Sequence, residues 1–165
     1  MANTYVKIAT VSVTSAQAAI EFDLIPSTYT DLILKLSART SESYNYASYT
    51  INLNGSATGF TGKDVYGIGT NPGSANRTVT YYNLNGASST ASTFSNIEMY
   101  FSNYAGSTNK SFNMDAVSED NSNLNNASLI AGLWSNTAAI NKITLTGTNN
   151  FVTYSSATLY GIKKN

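Results

Sequence analysis

The chain has 165 residues, no cysteine and no histidine, and its nine basic and nine acidic side chains cancel to a formal charge of zero. Those absences exclude disulfides, thiolate metal sites, cysteine nucleophiles, imidazole ligands and any triad that needs a histidine base. The basic residues stand singly apart from Lys163-Lys164, without the basic stripe by which nucleic-acid binders displace counterions.

Ser, Thr and Asn make up roughly two-fifths of the chain, far above average usage. Aromatic and β-branched residues are plentiful too, which a disordered chain lacks. The expectation is a folded protein with a neutral polar surface. No run of 18 apolar residues occurs, so no spanning helix and no membrane partner are expected. "MANTYVKIATVSV" has neither a basic n-region nor an apolar core, so synthesis and retention in a cytoplasm, or release by lysis, is expected rather than secretion.

In chain order, strand signals dominate. Tyr5–Val13 alternates β-branched and polar residues, and Ile20–Leu24 is a short run closed by Pro26. In "DLILKLSAR", Leu32, Leu34, Leu36 and Ala38 share one parity, and Lys35, Ser37 and Arg39 the other. That period of two marks a half-buried strand. Tyr49, Ile51 and Leu53 repeat it before an Asn54-Gly55 turn. The low-complexity middle, Gly55–Ser95, holds weaker strands near Phe60–Ile68 and Arg77–Leu84, with "GTNPGSAN" (Gly69–Asn76) as loop. Ile97–Phe101 and Phe112–Ala116 flank the loop "NYAGSTN". Leu129–Trp134 is apolar at both parities, which predicts a strand covered on both faces, with Trp134 in the core. Ser135–Ile140 could form one helical turn. Ile143–Leu145 follows, and Phe151–Tyr154 and Ala157–Ile162 read as a closing hairpin turning at Ser155-Ser156. About ten or eleven short strands in one domain over 1–165 predict an all-β fold, an antiparallel, jelly-roll-like β-sandwich.

Motifs for chemistry are scarce. No nucleophile elbow, P-loop or dinucleotide fingerprint occurs. Glu98 and Asp115 lie on the polar parity of apolar strands and read as a solvated strand face. Ser118–Asn126, "SEDNSNLNN", lacks the glycine and terminal acid of an EF-hand and reads as a polar loop. No enzyme, cofactor or metal is expected. The binding candidates are tyrosines: Tyr44 and Tyr46 in "SYNYASY", and the pair Tyr81-Tyr82. Such rings can stack on sugars or anchor an interface at low entropic cost. Otherwise they edge a core with the hydroxyl in solvent. The loops best placed to meet a neighbour are Ser41–Ser48, Gly69–Asn76 and Ser118–Asn126.

"YVKIATVSV", "IPSTYTDLILKLSART", "NYAGSTNKSF", "LIAGLWSNTAAINKITLT" and "NFVTYSSATLYGIKKN" occur in that order. Their order and wording resemble small virion-associated structural proteins of tailed phages of marine bacteria, cyanophages among them. The resemblance covers both ends of the chain and excludes the Gly55–Ser95 middle. It implies a β-sandwich on the particle exterior, made in the host cytoplasm and localised to the virion. Its expected role is capsid decoration or cement on the phage head, in contact with the major capsid protein and with copies of itself as a trimer. The alternative is a tail-fibre module that binds a receptor or a host surface glycan.

Overall fold

A computed structural model describes residues 4–121 and 125–163, without the side chains of Tyr82 and Asn83. It has twelve strands: β1 (Tyr5–Ser12), β2 (Gln17–Phe22), β3 (Asp31–Ala38), β4 (Tyr46–Leu53), β5 (Phe60–Ile68), β6 (Asn71–Arg77), β7 (Thr80–Asn85), β8 (Ser95–Phe101), β9 (Lys110–Ser118), β10 (Asn126–Trp134), β11 (Ile143–Phe151) and β12 (Ser156–Ile162). All pair antiparallel, in a large sheet ordered β1-β12-β3-β8-β9-β10-β5-β6 and a small one ordered β2-β11-β4-β7. The all-β sandwich expected from the alternation is what forms.

The order carries a jelly roll. With β5, β6, β9 and β10 set aside, the strands run β1-β12-β3-β8 in one sheet and β2-β11-β4-β7 in the other. That is one long hairpin, first strand against last and second against penultimate, rolled into two layers. The β5–β6 and β9–β10 hairpins are insertions that widen the first sheet. Inward parity fills the space between layers. Leu32, Leu34, Leu36, Met99, Phe101, Met114, Ile130, Trp134 and Leu159 face Ile20, Tyr49, Ile51, Leu53, Tyr81, Ile143 and Leu145, all buried. Trp134 stacks on Phe60 at 6.1 Å and donates Nε1–H to the Thr58 carbonyl at 3.2 Å.

Several expectations are corrected. Asn71–Arg77 is strand β6, because it closes a tight hairpin on β5 with Ile68 opposite Asn71. β10 is buried on one face only: its even-numbered residues point inward, while Leu129 is 64% exposed. Ser135–Ile140 is irregular, with the Asn136 side chain accepting from the Ala138 amide at 2.8 Å instead of capping a helix. The closing hairpin does not form. β11 pairs with β2 and β4, whereas β12 crosses to the other sheet between β1 and β3. Ser155 is the hinge: its Oγ bonds both the amide and the carbonyl of Arg39 at 3.2 Å.

Two tyrosines are built into the core. Tyr49 and Tyr81 are opposite each other on β4 and β7, with ring centroids 5.9 Å apart. The Tyr49 hydroxyl donates to Met114 Sδ at 3.1 Å, and that of Tyr81 to the Thr78 carbonyl at 3.1 Å. Burial raises both phenol pKa values above the ordinary range. The unfolded chain ionises these groups near pH ~10 while the folded chain holds them neutral, so stability is lost as pH rises above that point. Each tyrosine contributes a slope of about 1.4 kcal/mol per pH unit. Lys110, whose pKa burial lowers, works in the opposite direction as a single group. We expect the urea midpoint to fall steeply above pH ~10, and Tyr49→Phe to flatten that fall. A midpoint independent of pH in that range contradicts the assignment.

Candidate functional site

Tyr44 and Tyr46 lie at one end of the sandwich, where β3 crosses to β4. The connecting segment is short and polar but stitched on both sides. Its Ser41 amide donates to the Asn150 carbonyl at 2.9 Å. The amides of Gly86, Ala87 and Ser88 donate to the carbonyls of Asn45, Glu42 and Tyr44 at 3.1, 2.5 and 3.3 Å. Ser88 Oγ adds a bond to the Ser43 carbonyl at 2.7 Å, and Ser89 Oγ one to that of Asn45. Gly86 is required for this approach, since a Cβ there would stand 2.1 Å from the Tyr44 carbonyl oxygen.

The supporting loop is itself wound around a buried cation. Arg39, 9% exposed, sends Nη1 to the carbonyls of Thr90 (2.7 Å) and Thr93 (3.1 Å), and Nη2 to those of Ala87 (3.1 Å) and Ser89 (2.9 Å). The planar five-donor fork of arginine suits a ring of carbonyls in a way that a lysine point charge does not.

On this base Tyr44 is 66% and Tyr46 52% exposed. Together with Glu42, Ala47, Ser48 and Thr148 they line a shallow cleft of about 180 Å³. The Glu42 carboxylate is oriented from both sides, accepting from the Ser43 amide at 3.1 Å and from Asn149 Nδ2 at 3.0 Å. Thr148 Oγ1 donates to the Ser48 carbonyl at 2.9 Å, and the two side-chain hydroxyls also bond each other. Tyr46 shares its parity on β4 with Ser48 and Thr50, opposite to the buried Ala47, Tyr49 and Ile51. It therefore points off the small sheet, away from the outer face of the large one.

Of the four tyrosines singled out from the sequence, the fold thus brings two together. Tyr81 is a core residue, fully buried against Tyr49, and is not available to a partner. Tyr82 follows it on β7, but its side chain lies outside the described residues. Of the three expected contact loops, Ser41–Ser48 builds the cleft and Gly69–Asn76 is mostly strand β6. Within Ser118–Asn126, residues 122–124 lie outside the described residues.

A second surface was invisible in the sequence. The outer face of the large sheet carries an unbroken row across all eight strands: Thr10, Thr158, Lys35, Glu98, Asp115, Leu129, Val65 and Ser74. Lys35 pairs with Glu98 at 2.9 Å, and that pairing raises the lysine pKa. Asp115, directly across from Glu98, puts a second negative charge beside the first, an unfavourable neighbour in a sheet. Leu129, Val65 and Val117 are 64%, 59% and 41% exposed on the inserted hairpins. An adjacent row sets Tyr160, Ile33 and Tyr100 side by side, with Ile33 only 4% exposed although it faces outward. The Tyr100 hydroxyl donates to Asp31 Oδ2 at 2.8 Å, which raises the phenol pKa. Parity already set Tyr100 opposite Met99 and Phe101, and Tyr160 opposite Leu159. The neighbourhood of β8, β3 and β12 is the part that period-two patterning cannot supply.

Among the described residues no three Asp or Glu side chains converge as metal ligands, and no helix is long and apolar enough to cross a membrane. The inserted β5–β6 hairpin does bury an acid, Asp64, which Arg77 neutralises through Nε and Nη2 at 2.9 and 2.7 Å. No protein-family model, curated protein or solved structure matches the chain.

Proposed function

We propose that this chain is a structural protein of the exterior of a tailed-phage particle, seated on the head as a decoration protein. It touches the major capsid protein through the outer face of its large sheet, and copies of itself as a trimer. The observation that carries this reading is the width and character of that face. Eight strands at ~4.8 Å spacing span about 34 Å, and eight residues of strand about 25 Å. The product, roughly 800 Å², equals one partner's share of a standard protein interface. The inserted hairpins supply its apolar corner at Val65, Val117 and Leu129. Beside them, Lys35 pairs with Glu98 and leaves Asp115 as a local acidic point that fits a basic group on the partner, on a face where Lys7, Lys63 and Asp31 bring the total charge to zero. Apolar groups rimmed by polar residues are a feature of interaction sites on soluble proteins. The sequence resemblance to phage virion proteins supports the same assignment.

Protein stoichiometry in purified particles, with heads and tails separated, tests it. We expect hundreds of copies on heads, and a sharp loss of head occupancy for Leu129→Arg with no change in unfolding midpoint, since an exposed substitution costs the fold little. A handful of copies confined to tails would sink the decoration reading.

A further inference from the structure

We propose that the cleft at Tyr44 and Tyr46 binds one unit of a neutral saccharide, a role separate from docking through the large sheet. Four observations carry it. First, two aromatic rings are held in solvent on a loop that is fixed, not free. Its supporting bonds come from the loop that Arg39 anchors on one side and from Asn149 and Asn150 on the other, so little backbone ordering entropy is lost when a ligand stacks there. Second, the polar groups around the rings suit hydroxyls. Glu42 is aimed by Ser43 and Asn149 and keeps lone pairs for hydroxyl donors, because an ionised carboxylate accepts about four hydrogen bonds. Ser48 and Thr148 spend their hydrogens on each other and on the Ser48 carbonyl, and keep lone pairs that accept from a ligand hydroxyl. The hydroxyls continue down the sheet as Thr50 opposite Thr146, a track for further sugar units.

Third, the charge selects. Among the described cleft-lining residues, Glu42 is the one ionisable group other than the tyrosines. It repels phosphates, sulfates and uronates. Fourth, the cleft, at about 180 Å³, is smaller than the ~300–1,000 Å³ of drug-sized sites, which limits its occupant to about one ring. Tyr46 points off the small sheet, so a protein docked by its large sheet still presents this cleft outward.

The test is an amide-resolved NMR titration of the full chain with maltotriose, a galactobiose and a mannobiose as neutral probes, and a mannuronate trimer as the anionic one. We expect saturable millimolar binding of at least one neutral probe, with shifts confined to residues 42–50 and 146–149. The uronate should bind at least about tenfold more weakly. Tyr44→Ala and Tyr46→Ala should each weaken binding about tenfold, a modest share of a millimolar affinity, while leaving the unfolding midpoint unchanged. Glu42→Gln should narrow the gap between neutral and anionic probes. The proposal is overturned by no response to any neutral probe at tens of millimolar, by equal binding of the uronate, or by binding that survives the double tyrosine variant. It is also overturned if purified heads, but no sugar, protect these same residues, which would assign the cleft to a protein contact. The sugar-binding outcomes do not depend on where the protein sits on a particle.

Discussion

A chain ending at Thr158 does not fold. β12 lies between β1 and β3, paired on both sides from Ser156 to Ile162. Removing Leu159 onward takes the partner from Tyr5–Ala9 of β1 and from Asp31–Leu34 of β3 at once. It also removes Leu159, fully buried at the centre of the core, whose truncation to alanine alone would cost about 2–5 kcal/mol. Gly161 goes with it, and the Tyr29 ring lies so close over this glycine that a Cβ would sit 2.3 Å away. Losing two ladders and these contacts exceeds the ~5–15 kcal/mol that holds a domain of this kind together. The expected result is a flat thermal scan and bound hydrophobic dye. Cooperative melting at the full-length temperature would show that β12 is dispensable.

Arg39→Met costs about 1–3 kcal/mol, the range for leaving a buried carbonyl without its donor, since the bond to Ser89 is fully buried and the others are partly so. The side chain keeps its volume and leaves the carbonyls of Ala87, Ser89 and Thr93 without the arginine donors, while that of Thr90 keeps the Thr93 hydroxyl at 2.8 Å. Arg39→Lys recovers only part of this, because one ammonium cannot reach carbonyls on both sides of the fork. The loss has a local signature beyond a lower melting temperature. Amides of Gly86, Ala87 and Ser88, which bond to the Tyr44 loop, should lose hydrogen-exchange protection, while core amides of β3 and β8 lose only what global stability dictates. Uniform loss at both sites would make Arg39 a general packing residue without a specific hold on the cleft.

The fold was legible wherever one parity was apolar and the other polar. The Leu32–Ala38 and Ile97–Phe101 runs announced their strands and their inner faces, and the structure keeps both. β6 was not legible, because "NPGSANR" has no apolar parity. It is a strand through pairing with β5, a tertiary effect that overrides local preference. Leu129 misled for the opposite reason: an apolar residue at outward parity signals either a second layer or an exposed patch, and sequence cannot tell which. The tyrosines show the same limit. Tyr46 and Tyr49 are three residues apart on one strand, yet their opposite parity places one in solvent and the other in the core. Tyr81 offered no such clue, since its burial follows from sitting opposite Tyr49 across β4 and β7. Glu42 went unremarked as a cleft residue because its orientation comes from Asn149, over a hundred positions away.

The rolled hairpin has a consequence for how the molecule is made. β1 is paired only with β12, and β2 only with β11. Strands made early in this domain therefore wait for those made late. Through most of synthesis β1 and β3 present open edges to each other's neighbours in the cell, with Leu32, Leu34 and Leu36 uncovered. Such non-local pairings close slowly, over milliseconds to seconds. Until β12 takes its place between β1 and β3, those unpaired strand edges are the part of the fold most open to aggregation.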